Sequence, residues 1–254
     1  TGYDGYPVRS VDTDEGLVVF EGFLYDTDDT DAALRRVASW VDAGDTDALE
    51  SWVRERDGDF LAVVVDEATE TATLVSDGLG RLPVYHAETD SGTVVSRELK
   101  LVRELADPVG VDPLAVAQSL LLGYRLGTRT LFEDIDRLPP AATLSVDGER
   151  TVERLFRHDF GRRVHEDWGR DEHAEALADR FETACANRAD LPGETVLALS
   201  GGLDSRAVAG GFDAAGVEFS AATFDRPDGS ASDEVRAAGA VAEALDLDWE
   251  HYVA

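Results

Sequence analysis

The stretch LSGGLDS at residues 199–205 joins an apolar, β-rich run to a helical pattern. Gly201 and Gly202 have no side chains, so backbone N–H groups can approach an anion closely there. The N-terminus of the following helix adds partial positive charge. Ser200 and Ser205 carry hydroxyls that can donate to phosphate oxygens. The stretch therefore predicts a phosphate-binding turn at the carboxyl end of a buried strand.

Asp204 adds a carboxylate to this turn. A carboxylate would repel bare phosphate, so its presence indicates a bridging divalent cation in an all-oxygen site of the Mg²⁺ type. The stretch is not a P-loop, because the lysine of the GK[ST] motif is missing. The alternative interpretation is a plain strand-to-helix turn, in which glycine and serine are also common.

The pattern after residue 172 alternates between helix and strand. Helices are expected at residues 172–189, from about 203, and at 232–245, and strands at 195–199, 217–224 and 249–253. This order is typical of a parallel α/β sheet. Residues 157–171 follow neither period and predict a linker, so the second domain is expected to cover residues 172–254.

Residues 1–156 predict a first domain of strands and amphipathic helices. Helices are expected from Asp31, from residue 47 to a stop at Gly58, at 97–105 and at 112–123. Strands are expected at 16–25, 60–67, 71–77, 83–86 and 93–96, followed by a hairpin whose turn is Asp147-Gly148. Residues 131–138 and the two prolines after them predict a rigid connector.

The composition is strongly acidic, with 53 acidic against 23 basic residues in 254 and a formal net charge of −30. Lys100 is the only lysine. These features are typical of a protein from a salt-loaded cytoplasm, where salt screens the self-repulsion; an ordinary acidic protein is the alternative. The charge disfavours nucleic-acid backbones and anionic lipid as partners.

No signal peptide or transmembrane run of roughly 20 residues is visible, so we expect a cytoplasmic protein without a membrane partner. The only cysteine, Cys185, cannot form an internal disulfide. Its helical spacing with Leu177 and Phe181 predicts buried packing. The five histidines form no pair with zinc-ligand spacing.

The SGGLDS stretch resembles the pyrophosphate loop of the ATP-pyrophosphatase group, and more closely the synthetase domain of glutamine-dependent asparagine synthetase. The strand SAATF at residues 220–224 is similar to the one that borders the adenine in that family. The resemblance implies ATP and Mg²⁺ as cofactors, with Asp204 on the metal and Ala198 and Thr223 on the adenine side. The residues implied in ATP and pyrophosphate binding are Ser200, Gly201, Gly202, Leu203, Asp204 and Ser205.

The segment GDFLAVVVDEATETATLVSDGLGRLPVYH at residues 58–86 resembles the second half of a class II glutamine amidotransferase domain. Matching positions are Gly58, Phe60, Asp77, Gly80, Pro83, Val84, Tyr85 and His86, and residues 96–100 and 135–140 are similar to later motifs. The resemblance implies an α/β fold class. It consists of an Ntn-hydrolase-like α/β sandwich, followed by the first part of a parallel-sheet adenine-nucleotide α-hydrolase-like domain.

The sequence departs from this family at the glutaminase centre, which uses an N-terminal cysteine with its free amine as base. TGYDG at residues 1–5 is only superficially similar to the family's C-G-I-x-G, and Cys185 lies far along the chain. Glu21 stands in place of the asparagine in the family's N-G-E turn. We therefore expect a degenerate amidotransferase domain without glutaminase activity.

The chain also stops at Ala254, before the family's second metal-binding aspartate. A fragment and a short paralogue both remain open. Lys100 lies in the wrong domain to be the catalytic lysine of related amide-forming enzymes.

The resemblance implies an ATP-dependent ligase that adenylates a small-molecule carboxylate, releases pyrophosphate and lets an amine donor attack. A β-lactam-synthetase-like or peptide-cyclising ligase is one alternative, which the missing nucleophile favours. A nucleotide-binding scaffold without turnover is another. A homo-oligomer is left open.

Overall fold

The computed structural model describes residues 7–253, except 15, 108, 109, 162, 163, 190, 192, 229 and 231. The chain divides into two compact units, Thr1–Phe160 and Gly161–Ala254. Each unit contains helices and strands, in agreement with the expected mixed α/β class. In the described part of the chain, no helix has the length and apolar character needed to cross a membrane.

The first unit contains two antiparallel sheets. Its strands are β1 (Val8–Asp12), β2 (Gly16–Leu24), β3 (Gly58–Asp66), β4 (Thr71–Ser76), β5 (Tyr85–Thr89), β6 (Gly92–Ser96), β7 (Asp136–Arg137), β8 (Ala142–Asp147) and β9 (Glu149–Arg154). Within the described residues, the larger sheet has the order β1-β2-β3-β4-β8-β9, and the smaller has the order β6-β5-β7. β8 and β9 form the expected hairpin, with Asp147 opposite Glu149 and Gly148 in the left-handed region at φ 75°.

Four helices in the described part of this unit are α1 (Thr30–Ala43), α2 (Thr46–Glu55), α3 (Leu99–Ala106) and α4 (Pro113–Leu122). Aspartates cap three of them: Asp29, Asp45 and Asp112 accept N–H groups from the first turns of α1, α2 and α4. Such caps satisfy donors that have no partner inside the helix.

The cores of the first unit follow from the alternation of side chains along β3. Phe60, Ala62 and Val64 are buried on one face and pack with α1 and α2, where Leu34 and Trp52 are central. On the opposite face, Leu61 joins a second cluster that includes Leu74, Val84, Leu138 and Leu144, with Val95 of β6 packed against it. Ala87, Val102 and Ile135 form a third cluster at α3. The layers therefore run helix, sheet, sheet, helix.

The second unit contains α5 (Arg170–Ala186), β10 (Val196–Ala198), α6 (Leu203–Ala214), β11 (Ser220–Asp225), α7 (Ser232–Ala244) and β12 (Trp249–Val253). Its three described strands are parallel and lie in the order β10-β11-β12. Its core is small: the fully buried members are Leu199, Ala209, Ala221, Ala238 and Ala242. Small side chains on α6 and α7 let the two helices approach the sheet closely.

Several expected boundaries were wrong. α2 ends at Glu55 with Arg56 in an extended conformation, and Gly58 begins β3 instead of stopping the helix. β1 was missed, because the five-residue stretch VRSVD carries a weak apolar signal; only its Val11 is buried. The strand expected at 83–86 begins at Tyr85, and the one expected at 217–224 begins at Ser220. The connector at 131–138 includes the short strand β7.

Candidate functional site

The turn from β10 to α6 is anchored by a chain of hydrogen bonds through Thr223. The N–H of Leu199 donates to the carbonyl of Ala222 (2.9 Å). The hydroxyl of Thr223 donates to the carbonyl of Leu199 (2.7 Å) and accepts from Nε1 of Trp249 (2.8 Å). Thr223 is buried, and both bonds engage its hydroxyl. The structure thus gives this residue, for which the family resemblance implies a place on the adenine side, a role in holding the turn.

Two serines close the turn from inside. The N–H of Ser200 donates to Oγ of Ser205 (3.1 Å), and that hydroxyl lies 3.0 Å from the carbonyl of Ser200. The two hydroxyl oxygens are 2.9 Å apart. The N–H of Gly202 donates to Oγ of Ser200 (3.2 Å). The residues predicted from the sequence are therefore brought together, with their hydroxyls bonded to the turn itself.

The glycines differ in what surrounds them. A Cβ on Gly201 would lie 2.7 Å from Cα of Glu234 in α7, so no side chain fits without backbone movement. A Cβ on Gly202 would meet only Oγ of Ser200, at 3.2 Å, and φ of −71° suits any residue. Gly201 therefore meets a packing requirement against α7, whereas a Cβ on Gly202 would crowd only the hydroxyl of Ser200.

The start of α6 has no side-chain cap, because its N-cap residue is Gly202. The N–H groups of the first helical turn have no partner inside a helix, and here no cap carboxylate accepts them. They carry the positive end of the helix dipole. α3 also starts without a side-chain cap, but α6 starts directly after the SGG turn at the carboxyl end of β10, where its chemistry suits a phosphate or carboxylate ligand.

The remaining predicted residues lie at the surface of this turn. Leu203 and Asp204 in the first turn of α6, and Ala198 at the end of β10, are exposed. No group of three His, Cys, Asp or Glu side chains in the described residues is placed to hold a metal ion. Asp204 would thus supply a single protein ligand, and phosphate oxygens would have to complete a Mg²⁺ site.

Arg206 is a residue of this turn that the sequence reasoning missed. Its Nε donates to the carbonyl of Gly202 (3.1 Å), which places a guanidinium beside the candidate site. The available signal was a basic residue directly after SGGLDS in a chain of charge −30.

His251 of β12 lies near the end of β11, where its Nε2 is 3.8 Å from Oδ2 of Asp225.

In the first unit, a second turn follows β4. The carboxylate of Asp77 accepts the N–H groups of Leu79 (2.8 Å) and Arg81 (3.1 Å), and Asp77 is only 1% exposed. Burial raises the pKa of this carboxyl, and the N–H donors oppose that rise. Gly80 occupies the left-handed region at φ 61°, with Pro140 against it.

Glu21 on β2 forms an ion pair with Arg97, which follows β6; both side chains are largely buried. Gly22, next along the strand, has φ 110°, and its missing Cβ would overlap the carbonyl of Asp59. Oδ2 of Asp59 accepts from the hydroxyl of Tyr25 (3.1 Å). The carboxylate that replaces the expected asparagine therefore has a cationic partner inside the unit.

A family model described as a glutamine amidotransferase domain matches residues 5–157, which is more than half of the chain. The chain belongs to this family. No curated protein matches it at a significant level. The matched range coincides closely with the first compact unit, here called the amidotransferase unit. Residues 1–5, compared above with the family's C-G-I-x-G, lie outside the described residues.

His86 of the amidotransferase unit is a buried titratable group away from both turns. Its Nδ1 lies 2.8 Å from Nη1 of Arg150, so the neutral ring accepts a hydrogen bond from the guanidinium. Burial, and next the charge of Arg150, lower the pKa of His86 to about 4. The ring is therefore neutral at physiological pH.

Cys185 is buried in the second unit, as predicted, although Leu177 on the helical face proposed for it is exposed. Burial raises the pKa of its thiol, which disfavours the nucleophilic thiolate. A Cβ on Gly211 of α6 would lie 2.6 Å from Sγ of Cys185. The cysteine thus packs α5 against α6.

Proposed function

We propose that this member of the amidotransferase family is an ATP-dependent, amide-forming ligase of the asparagine-synthetase type. The proposed reaction is adenylation of a small-molecule carboxylate with release of pyrophosphate, followed by attack of an amine donor on the acyl carbon, which forms the amide and releases AMP. The uncapped N-terminus of α6, directly after SGG at the carboxyl edge of a parallel sheet, is the observation that carries the proposal.

In this proposal the first N–H groups of α6 hold the phosphates that leave as pyrophosphate. Gly202 puts no side chain beside them, and Arg206 adds a positive charge next to them. Asp204 holds Mg²⁺ together with phosphate oxygens. Preorganised donors at the departing group are the main catalytic contribution that such a turn supplies, because negative charge increases there during the reaction. Ala198 and Thr223 stand at the side proposed for adenine.

The finer fold assignment belongs to the same proposal. The helix, sheet, sheet, helix order of the amidotransferase unit supports an Ntn-hydrolase-like sandwich. The parallel order β10-β11-β12, with the turn after β10, supports an adenine-nucleotide α-hydrolase-like second domain. The proposed setting is the salt-rich cytoplasm that the composition indicates, where ambient salt offsets the repulsion between the acidic surface and ATP.

The test is calorimetric titration of the whole chain with MgATP in molar KCl. We expect saturable binding that Gly202→Ala weakens at least about tenfold, because the added methyl group would lie 3.2 Å from Oγ of Ser200 and displace the turn that holds the N–H groups. Asp204→Ala is expected to weaken MgATP binding and to strengthen the binding of Mg²⁺-free ATP, because it removes the repulsion between the carboxylate and the phosphates. Gly210→Ala is the matched control, since its Cβ meets nothing within 4 Å on the same helix. Equal affinities for wild type and Gly202→Ala would refute the site.

A second candidate, favoured by the Glu21–Arg97 pair, is a β-lactam-synthetase-like or peptide-cyclising ligase. In such enzymes the amidotransferase half is disabled, and here a carboxylate with its own cationic partner stands where the family's asparagine is expected. Both ligases release pyrophosphate, whereas only the asparagine type needs an external nitrogen donor. Pyrophosphate released from ATP when ammonia and a separate carboxylate are supplied supports the first proposal. Pyrophosphate released from ATP when the substrate carries both the carboxylate and the amine supports the second. Glutamate production from glutamine above a no-enzyme blank would refute the proposed loss of glutaminase activity.

A further inference from the structure

The carbonyl groups at both ends of the turn after β10 are held by side-chain donors. At its start, the hydroxyl of Thr223 donates to the carbonyl of Leu199 (2.7 Å). At its end, Nε of Arg206 donates to the carbonyl of Gly202 (3.1 Å). A carbonyl oxygen carries partial negative charge and repels phosphate, so a turn that binds an anion must keep these oxygens directed away from it. The direction of the carbonyls is therefore as important here as that of the N–H groups.

Arg206 is the side chain that fixes the carbonyl of Gly202. Oγ of Ser205 also lies near this carbonyl oxygen, at 3.4 Å. The hydroxyl of Ser205 has a single proton, however, and two oxygen atoms of Ser200 are closer to it: the carbonyl oxygen at 3.0 Å and Oγ at 2.9 Å. The end of the turn, directly before the first N–H groups of α6, is thus held by the guanidinium.

The guanidinium of Arg206 keeps further donors after this bond. An arginine has five N–H donors in a planar fork, and Nε supplies only one of them. Within the described residues the guanidinium contacts a backbone carbonyl and pairs with no carboxylate, although Asp204 precedes it by two residues. Side chains two apart on a helix do not face each other. The Nη1 and Nη2 groups therefore remain for an external anion, on an exposed side chain whose position the Nε bond restricts.

We propose that Arg206 has two simultaneous roles at the turn proposed to bind phosphate. It is a positioning residue, because its Nε fixes the carbonyl of Gly202 and with it the direction of the first N–H groups of α6. It is also a phosphate ligand, because Nη1 and Nη2 offer paired donors to two oxygens of one phosphate group. The inference rests on the proposed function, and it assigns recognition of one phosphate group of the departing pyrophosphate to this side chain.

A lysine at position 206 could not perform both roles. Its ammonium group is a compact point charge on a flexible stem, so it binds either the carbonyl or the phosphate, without the fixed geometry of the fork. Arg206→Lys leaves the net charge of the chain at −30, and long-range electrostatic attraction is therefore unchanged. The substitution separates the geometry of the guanidinium from its charge.

The first test is calorimetric titration of the whole chain with inorganic pyrophosphate and Mg²⁺ in molar KCl. We expect Arg206→Lys to weaken pyrophosphate binding at least about tenfold, and Arg206→Ala to weaken it further. Arg180→Lys is the matched control, since it makes the same exchange at an exposed arginine of α5 in the same unit. The free energy of unfolding, measured with denaturant, is expected to be equal in all variants, because both arginines are exposed.

The second test is chemical rescue of Arg206→Ala. Methylguanidinium in solution is expected to restore part of the pyrophosphate affinity, because it brings back a planar fork of donors. Methylammonium carries the same charge and is expected to restore none. A loss that came only from a disturbed structure would not distinguish between the two cations.

The outcomes separate this inference from the proposed function. If the wild type binds pyrophosphate and Arg206→Lys binds it equally well, charge alone suffices and the dual role is overturned. Equal rescue by the two cations overturns it as well, and so does a lower free energy of unfolding in Arg206→Lys than in Arg180→Lys. A wild-type chain that binds neither MgATP nor pyrophosphate refutes the proposed function itself, and the role of Arg206 falls with it.

Discussion

The two turns that follow β4 and β10 present backbone N–H groups in opposite ways. After β4, the buried carboxylate of Asp77 lies inside the turn and accepts the N–H groups of Leu79 and Arg81. After β10, hydroxyls fill the inside of the turn, and the first N–H groups of α6 are left without a side-chain cap. The first turn is satisfied internally, whereas the second retains donors for an external anion.

This difference shows that a glycine-rich turn is not by itself a binding site. Both turns contain glycine, and in both a Cβ would approach a neighbouring segment closely, at Gly80 and at Gly201. What separates the two turns is whether an acceptor already binds their N–H donors.

The units that support the turns also differ: the amidotransferase unit has extensive cores with large side chains, and the second unit has a small core rich in alanine.

The largest expected effect on the free energy of unfolding comes from His86, in the amidotransferase unit. Its pKa in the folded chain is about 4, against 6.5 for an ordinary histidine. Between these values the unfolded chain binds more protons, so the free energy of unfolding rises with pH, by about 3 kcal/mol across the window. Denaturant unfolding at pH 4.5 and 7 checks this. Carboxylates also titrate in this range, in the wild type and in His86→Gln alike. The contribution of His86 is therefore the change in the free energy of unfolding of the wild type minus that of His86→Gln. Equal changes in the two proteins would show that His86 does not cause the pH dependence.

Removing the internal acceptor tests the turn after β4. Asp77→Ala leaves two N–H groups without their acceptor in a buried setting, and we expect the free energy of unfolding to fall by about 2–3 kcal/mol. Asp77→Asn keeps one acceptor oxygen without the buried charge and is expected to lose less. Denaturant unfolding followed by circular dichroism measures both. If Ala and Asn behave alike, the carboxylate does not hold this turn.

The packing between α5 and α6 provides a test in the second unit. Gly211→Ala would place a methyl group 2.6 Å from Sγ of Cys185, so we expect a loss of about 2 kcal/mol. Gly210→Ala, one residue earlier in open space, is expected to be neutral or slightly stabilising. Adding Cys185→Ala should recover part of the loss, because it removes the sulfur atom. No recovery in the double variant would show that Phe181, also close to Gly211, causes the strain.

The smallest expected change in the free energy of unfolding comes from removing the hydroxyl of Ser205. Ser205→Ala removes the acceptor of the Ser200 N–H and is expected to cost about 1 kcal/mol, less than Asp77→Ala because this turn is partly exposed. Ser205→Thr keeps the hydroxyl and serves as the control. A loss as large as that of Asp77→Ala would contradict the distinction between a closed and an open turn.

The sequence predicted the local features well and the distant partners poorly. The amphipathic pattern of α1, the Asp112 cap of α4 and the Asp147-Gly148 turn depend on neighbouring residues, and each is present. Gly58 was misassigned because a glycine that ends a helix and one that begins a strand look alike in the sequence. Tertiary pairing decides between them.

The site shows the same limit. The order SGGLDS indicated the turn, and its residues do come together. The pairing of Glu21 with Arg97 spans 76 residues, and the contact of Gly201 with Glu234 depends on the placement of α7. Neither could be found from spacing, because each depends on how separate elements pack. The ligand, the metal and the adenine contacts of Ala198 and Thr223 stay predictions.

The hydrogen bond between Trp249 and Thr223 also couples the fluorescence of this tryptophan to the turn after β10. The indole N–H donates to a hydroxyl that in turn donates to the carbonyl of Leu199, the residue immediately before Ser200. A displacement of the turn therefore alters the polarity felt by this ring, and with it the wavelength of its fluorescence. Trp249 is in this sense an intrinsic reporter, placed two hydrogen bonds away from the turn proposed to bind phosphate.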